Sequence, residues 1–257
     1  MYRPKFYHYN IVTSTNDIAF QLLKKDKELA AVVVTADWQS SGRGRNGNIW
    51  KSNKGENLLF SYGIVHNPNI IKLYLLQIIG TLAVKELLIN YIPNEYIRIK
   101  YPNDVYIKSA PNVIFRKNSG VISETNYINN NLCYSVIGIG INVKQAPNKD
   151  IPNSIALADC VEIYNNGINF NKIDLENMRI MLGNIISKLL DLEEYYIKEK
   201  WLEELNIYKK KIILLNEETE KLYNVVNIMQ DCRLVISDLD GNKKIVNNGD
   251  SIRYNLE

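Results

Sequence analysis

The stretch AAVVVTADWQSSGRGRNGN, residues 30–48, joins a β-branched run to a loop rich in glycine and arginine. Gly42, Gly44 and Gly47 have the spacing G-x-G-x-x-G, which in dinucleotide-binding folds lies between a strand and a helix. The β-branched run predicts the strand. No helix is predicted after the loop, because NIWKSNKGENLLFSYGI lacks apolar residues at helical spacing. Glu56 is also too close for the ribose-binding acid, which is expected about 20 residues on. The match is therefore a coincidence, and the loop needs another ligand.

The composition is that of a globular protein whose basic and acidic residues nearly balance. Hydrophobic residues make up 46% of the 257 positions and charged residues 23%, so the chain can bury a sizeable core. The formal net charge of +3, from 31 basic and 28 acidic residues, gives no general attraction to nucleic acid. We therefore expect no nucleic-acid partner, and any basic site must be local.

Neither a secretory signal nor a membrane span is predicted. The N-terminus, MYRPKFYHYN, has no apolar core. The most apolar long stretch, Leu73 to Ile92, predicts a core helix because it is interrupted by Gln77, Lys85, Glu86 and Asn90. The three cysteines are far apart, and with two histidines in the chain a zinc site is not expected. These features predict a cytoplasmic protein with reduced thiols and no membrane partner.

The pattern along the chain predicts a larger mixed domain, residues 1–209, and a small β domain, residues 210–257. STNDIAFQLLKK predicts an amphipathic helix with Ser14 as N-cap and Asp17 in its first turn. Short β runs and a turn at Asp240–Gly241 predict a barrel-like C-terminal domain. The other predicted elements are strands at 30–38, 57–65 and 97–101, helices over 70–91, 171–192 and 194–206, a polar loop over 109–119, and paired strands GVISETNYI and CYSVIGIGINV.

Basic residues recur beside glycines or strand ends, at Arg43, Arg45, Lys100 and Lys117. Glycine lets the backbone approach a ligand closely, and guanidinium groups bind carboxylate or phosphate in a forked geometry. A shared anion site is one interpretation. The alternative is that each is a solvated surface charge, as isolated lysines and arginines usually are.

Five blocks in order carry a resemblance to a known family. They are STND (14–17), QSSGRGRNGNIW (39–50), KYPNDVYI (100–107), KNSGVISE (117–124) and GIGIN (138–142). Together they resemble the biotin–protein ligases, also called biotin–[acetyl-CoA-carboxylase] ligases. The resemblance implies an α+β fold of the class II synthetase type, with a mixed, mostly antiparallel sheet and helices, followed by a small SH3-like β-barrel.

The resemblance also implies a two-step reaction. Biotin's carboxylate attacks the α-phosphate of ATP, giving biotinyl-adenylate and pyrophosphate with the help of Mg²⁺. A lysine of a biotin carboxyl carrier protein or domain then attacks the mixed anhydride and releases AMP. Cations must offset the repulsion between a carboxylate and a polyanion, and a Gly/Arg loop that orders over the ligand can shield the anhydride from water.

Roles follow from the resemblance position by position. The residues it places in catalysis are Lys117, Arg45, Lys100 and Asp104, with Lys117 bridging the carboxylate and the α-phosphate. Those it places at biotin are Ser14, Thr15, Asn16, Gln39, Gly42, Arg43, Gly44, Arg45, Lys117, Gly120 and Gly138. Those it places at ATP are Arg45, Trp50, Lys100, Asn103, Lys117 and Asn142. No dedicated protein cage for Mg²⁺ is expected, because this ion usually keeps waters and substrate phosphates as ligands.

The sequence departs from the family pattern at three places in or between these blocks, and little change is expected from the first, because an aromatic residue is kept. Tyr101 replaces a usual tryptophan, and Asn48 stands where many members have a basic residue. An extension over 109–116 lengthens the stretch before Lys117 and puts its placement in question. The S-T-N block begins at residue 14, so we expect no N-terminal winged-helix domain and no DNA binding.

The alternatives are a lipoate–protein ligase, which the GRGR loop disfavours, a non-enzymatic RNA-binding module, and a ligase-like pseudoenzyme. Exposed strand edges near the Gly/Arg loop could pair with a second copy or with the carrier, so a homodimer stays open.

Overall fold

The structure is a computed structural model that describes residues 2–130, 132–147, 153–164, 174–215, 221–246 and 252–256. Its larger part contains β1 (Lys5–Val12), α1 (Thr15–Lys25), β2 (Ala31–Gln39), β3 (Leu58–His66), α2 (Leu73–Leu88), β4 (Ile97–Lys100), β5 (Asp104–Ile107), β6 (Arg116–Asn129), β7 (Leu132–Ile141), α3 (Ala158–Tyr164), α4 (Leu175–Leu190) and α5 (Glu194–Leu205). The C-terminal part contains β8 (Lys211–Leu214), β9 (Leu222–Ile228), β10 (Leu234–Ser237), β11 (Lys243–Val246) and β12 (Ile252–Arg253).

The larger sheet has the strand order β1-β2-β3-β7-β6-β5-β4. Only β1 and β2 run parallel among these described strands, and the other neighbours are antiparallel. The long hairpin β6–β7 confirms the predicted pairing of GVISETNYI with CYSVIGIGINV. The predicted mixed, mostly antiparallel sheet is therefore confirmed.

The two faces of this sheet are covered unequally. Strand β7 turns Ile137, Ile139 and Ile141 toward the main core, where α2 and α4 pack. Helix α2 is apolar around most of its circumference and is almost entirely buried, so truncating Leu82 to alanine would cost about 2–5 kcal/mol. On the opposite face, α1 packs through Ala19 and Leu23. Because α1 is short, the rest of that face stays free to form a cavity.

The small C-terminal sheet is a curled, five-stranded antiparallel half-barrel with the order β11-β10-β9-β8-β12. Strands β10 and β11 pair across the predicted turn, where Gly241 has a φ of 86°. The buried residues of this sheet belong to the same hydrophobic cluster as Trp201 and Tyr101 of the larger part. The domain boundary between residues 209 and 210 stays a prediction.

Several sequence predictions differ from the structure. Residues 116–119 were expected in a polar loop but begin β6, because they pair with β5 and β7. Strand β1 was not predicted, since its exposed and half-buried residues do not give a clear apolar alternation. Helix α3 was also missed. The predicted helix near 171–192 corresponds to α4, and its residues 171–173 lie outside the described part of the chain. Among the described helices, none is both long and apolar enough to cross a membrane.

Candidate active site

A cavity of about 610 Å³ opens on the sheet face that α1 leaves free. It is lined by every predicted site residue except Gly42 and Lys100. These lining residues are Ser14, Thr15, Asn16, Gln39, Arg43, Gly44, Arg45, Trp50, Asn103, Asp104, Lys117, Gly120, Gly138 and Asn142. Segments separated by more than 100 residues thus meet around one space.

The N-terminus of α1 supplies one polar region of this cavity. Gln39 Oε1 accepts from the backbone N–H of Thr15 at 2.7 Å and lies 3.0 Å from its hydroxyl. Asn16 donates through Nδ2 to Glu124 Oε2 at 2.5 Å, and its Oδ1 contacts the Ser61 hydroxyl. Ser14 is buried at the N-cap position, but its side chain makes no capping hydrogen bond. The predicted N-cap position of Ser14 is therefore confirmed, without a capping bond from its side chain, and the residue lines the cavity.

Two glycines of the GIGIN block make room for protein side chains. A Cβ at Gly138 would lie 2.5 Å from Asn16 Oδ1, and one at Gly140 would lie 2.2 Å from Trp50 Cε2. Gly120, opposite Gly140 in the sheet, also lies under the Trp50 ring. Asn16 and Trp50, which lie over these two glycines and line the cavity, are called the cavity floor below; the contact of Gly138 with biotin stays a prediction.

The Gly/Arg loop is a narrow turn closed by backbone hydrogen bonds. Trp50 N–H donates to Gly42 O at 2.9 Å, and Gly44 N–H donates to Asn48 O at 2.7 Å. Gly42 does not line the cavity; it lies against the backbone of Trp50, where a Cβ would come within 2.7 Å of the carbonyl oxygen. Asn46 and Gly47 both have positive φ at the tip.

Arg43 fastens this loop to the body of the protein. Its guanidinium forks onto both carboxylate oxygens of Asp17, at 2.7 and 2.9 Å, and contacts Glu124 Oε2 at 3.2 Å. The hydrogen bonds to Asp17 raise the pKa of Arg43 above its already high ordinary value. Arg43 therefore stays charged and links the loop to α1 and β6, although it also lines the cavity.

The cationic region of the cavity lies beside the KYPND turn. Arg45 Nη1 donates to Asn103 Oδ1 at 3.1 Å, and Lys117 Nζ lies 2.7 Å from Asp104 Oδ1. Lys117 lies on β6 next to Gly120, so it reaches the cavity in spite of the extension before it. That extension carries an exposed stretch over 111–114, outside the cavity lining.

Lys100 lies at the end of β4, paired with Asp104 across the strands. Its ammonium lies 3.3 Å from the Tyr106 hydroxyl and 5.0 Å from the centre of that ring. Lys100 shares a sheet face with Asp104 but does not line the cavity.

The cavity has a positive electrostatic character. Its described lining contains the basic residues Arg43, Arg45, Lys51 and Lys117 and one acidic residue, Asp104. Within the described residues, no group of three or more histidine, cysteine, aspartate or glutamate side chains is placed to hold a metal ion. The site is therefore suited to an anionic ligand.

Three residues of the site were missed by the sequence interpretation. Ser61 stands in the apolar strand LLFSYGI, and Glu124 ends the KNSGVISE block. Both bind the polar groups at the start of α1. A buried serine in an apolar strand is a usable signal, because buried polar groups need partners. Lys51, the third, follows Trp50 directly and lines the cavity.

The fold and this cavity define the class of protein. Residues 8–142 match the model of the Biotin/lipoate A/B protein ligase family, and the chain belongs to that family.

Individual relatives are similar over part of their length. The bifunctional ligase/repressor BirA of Bacillus subtilis is 29% identical over 167 residues, which cover 63% of this chain and 49% of that protein. The biotin–[acetyl-CoA-carboxylase] ligase of Mycobacterium tuberculosis is 28% identical over 149 residues, covering 57% and 52%. The chain thus spans about half the length of these curated relatives.

Solved structures resemble almost the whole chain. The biotin protein ligase from Aquifex aeolicus in complex with biotin and ATP has a TM-score of 0.68 at 25% identity, and the match covers 98% of this chain and 99% of that one. The ligase from Leishmania major in complex with biotinyl-5-AMP has a TM-score of 0.61 at 21% identity, covering 96% and 100%, and shares the fold.

Proposed function

We propose that this chain is an ATP-dependent biotin–protein ligase, which activates biotin as biotinyl-5′-AMP and transfers it to a lysine of a biotin carboxyl carrier protein or domain. The observation that carries the proposal is one cavity with two unlike regions. At one end the Asn16 amide lies over Gly138, and the bonded pair Thr15 and Gln39 lines the same cavity; at the other end Lys117 and Asp104 lie beside Gly120, next to Trp50. Such a cavity suits a ligand that is neutral and polar at one end and anionic at the other.

In this proposal, biotin's neutral ring system binds beside Thr15, Asn16 and Gln39. Asn16 is bound by Glu124 and Ser61, and Thr15 is bound by Gln39, so these groups are already oriented before the ligand arrives. Preorganised donors and acceptors lose little freedom on binding. The carboxylate then points toward Lys117.

In the first step, a carboxylate oxygen of biotin attacks the α-phosphorus of ATP. The acyl–phosphate bond forms while the bond to the β-phosphate breaks, and pyrophosphate leaves. Lys117 and Arg45 stabilise the charge that develops on the phosphate. Because Lys117 is bound by the half-buried Asp104, an anionic substrate competes with this carboxylate for the ammonium group.

In the second step, the neutral amine of the acceptor lysine attacks the carbonyl carbon of the anhydride. The bond between the acyl carbon and the phosphate oxygen breaks, and AMP leaves. Asp104 is the acidic residue of the described cavity lining, which makes it the candidate to accept the proton of the attacking amine.

The nucleotide lies on the side of Trp50 and Asn142. Both Trp50 Nε1 and Asn142 Oδ1 are buried without a hydrogen-bond partner among the described residues. Buried polar atoms are nearly always paired in native structures, so these two atoms are suited to an acceptor and a donor of a bound base.

The residues present also fit Mg²⁺ in the form the sequence predicts. Asp104 can offer one carboxylate, and Mg²⁺ commonly binds through one or two carboxylates together with substrate phosphates and waters. When bound, the ion would neutralise the phosphate charge and orient the leaving pyrophosphate.

Strand β6 of this chain offers an edge on which the acceptor domain can dock. Strand β5 pairs with β6 over residues 116–120, and no strand among the described residues pairs with the stretch 123–128 on that side. Tyr127 and Ile128 of this stretch are exposed. An extended segment of the carrier could add here as a strand; a second copy of this chain is the other occupant, and the oligomeric state and the cytoplasmic location stay predictions.

Mass spectrometry of the protein incubated with Mg-ATP and biotin tests the proposal, with lipoate in a parallel reaction. We expect bound biotinyl-AMP and released pyrophosphate. Lipoyl-AMP alone would keep the chemistry and overturn the substrate, whereas no adenylate with either acid would refute the proposed activity. Lys117→Met serves as the matched negative control, because it keeps an unbranched apolar side chain and removes the ammonium group.

A further inference from the structure

The KYPND turn is held in place by three other parts of the protein. Tyr101 N–H donates to the hydroxyl oxygen of Tyr254 at 2.7 Å. On the next residue, the Pro102 carbonyl accepts from Gln77 Nε2 of α2 at 3.2 Å. Asn103 O accepts from the backbone N–H of Val121 at 2.9 Å. The backbone of the turn is thus fixed residue by residue.

Tyr254 comes from the C-terminal sheet, 153 residues away from Tyr101 along the chain. It follows β12 directly, and β12 pairs with β8. The side chain is 8% exposed, and burial raises the pKa of Tyr254 well above its ordinary value. Its hydroxyl therefore stays neutral in the physiological range, and its contact with the Tyr101 amide does not depend on pH there.

The turn that Tyr254 holds carries two residues of the cavity. Asn103 accepts from Arg45, and Asp104 binds Lys117. A shift of the turn would therefore move the partners of both cations. Because catalysis by fixed charges depends on their placement before the reaction, a misplacement of about 1 Å can lower the rate up to about 100-fold.

We propose that Tyr254 is a positioning residue for adenylate formation: by accepting from the Tyr101 amide, the C-terminal sheet sets the KYPND turn against Arg45 and Lys117. The inference rests on the proposed function. It assigns the small sheet a direct part in the first step of the reaction, through one hydroxyl that does not itself touch the substrates.

Tyr254→Phe tests this inference, since it removes a single oxygen and keeps the packed ring. When the free energy of one buried hydrogen bond is added to the activation barrier, the kcat for biotin-dependent pyrophosphate exchange becomes about tenfold lower than in the wild type. The Kd for biotin should stay within about twofold of wild type, because the groups around Gly138 are not touched. Gln77→Met, which removes the donor to Pro102 O, should give the same pattern.

A second readout does not depend on activity. Hydrogen exchange of a peptide that begins at or before Arg98 and covers the turn should show a faster Tyr101 amide in Tyr254→Phe. Tyr208→Phe is the control, because it removes the hydroxyl of an exposed tyrosine that lies just before the same sheet in the chain; its kcat and its Tyr101 exchange should match wild type.

The outcomes separate the two proposals. If the wild type is active and the kcat of Tyr254→Phe is unchanged, the positioning role is refuted and the proposed function is not. A parallel loss of kcat, biotin affinity and melting temperature also refutes it, because Tyr254 is then only structural. A wild type that forms no adenylate refutes the proposed function and this inference with it.

Discussion

Substitution of Lys117 should lower the reaction rate far more than the stability of the protein. In Lys117→Met the ion pair with Asp104 is lost, while most of the side-chain packing stays. The side chains of Lys117 and Asp104 are 31% and 18% exposed, so this ion pair is intermediate between a surface pair and a buried pair. Pairs accessible to water contribute about 0.2–1 kcal/mol to stability, which for a chain of this size corresponds to a melting temperature at most about 4 °C lower.

The expected effect on the reaction is much larger. Removing one group that stabilises charge in a transition state typically costs about 100- to 1000-fold in kcat. We therefore expect pyrophosphate exchange to slow by about that factor while the melting temperature changes little. The same preparation should be measured in both assays, with Lys24→Met, an exposed lysine of α1, as the control for a lost surface charge.

The result that would refute this reasoning is a rate within about threefold of wild type, since the ammonium would then not face the developing charge. A large fall in melting temperature with a proportional loss of activity would instead make Lys117 a structural residue. Asp104→Asn tests the role of Asp104 separately from that of Lys117, because it keeps the charge of Lys117 in the cavity. It should slow transfer to the acceptor more than adenylate formation.

Three further predictions concern the loop, the cavity floor and a buried histidine. Arg45→Ala should let biotinyl-adenylate escape, seen as labelling of bystander lysines; a variant that neither leaks nor slows would contradict the role of the loop as a lid. Gly140→Ala would place a Cβ 2.2 Å from the Trp50 ring, and overpacking of about 1–3 kcal/mol predicts ATP binding about tenfold weaker by calorimetry, with biotin binding unchanged. Burial lowers the pKa of His66 below its ordinary value of 6.5, so the unfolded chain binds more protons below that pH and stability should fall as the pH drops below 6.5. His66→Gln should flatten this part of the stability curve in chemical denaturation, and an unchanged slope would show that another group is responsible.

Features that lie within a single strand, hairpin or turn could be predicted from the sequence. The hairpin β6–β7 was predicted from two adjacent β-type segments, GVISETNYI and CYSVIGIGINV. The five motif blocks likewise placed most of the cavity lining, including Lys117, although the extension before it made the position uncertain from spacing alone. Local patterns are sufficient for such features, because the strand period decides which residues share a face.

Contacts between distant segments could not be predicted in the same way. Gly138 was assigned to biotin and Gly140 received no role, and the side chains that lie over these two glycines, Asn16 and Trp50, come from parts of the chain about 90 or more residues away. The bond from Tyr101 to Tyr254 joins the motif to the C-terminal segment and has no sequence signal. Which side chain fills the space over a glycine depends on tertiary packing, and one sequence does not contain that information in any local window.

The cavity also decides what the departures from the family pattern mean. Asn48 removes a basic side chain from the loop, but Lys51, three residues on, adds one to the same lining. The extension over 109–116 could have displaced Lys117, yet β6 starts at Arg116 and carries Lys117 to Asp104 at 2.7 Å. Asn48 and the extension are the two departures that kept a ligase-like pseudoenzyme as an alternative, and they leave the charge of the site and the placement of its central lysine intact. In the proposed reaction, the position of the KYPND turn sets the partners of Arg45 and Lys117, so its contact with Tyr254 is a more informative place to test the enzyme than Asn48.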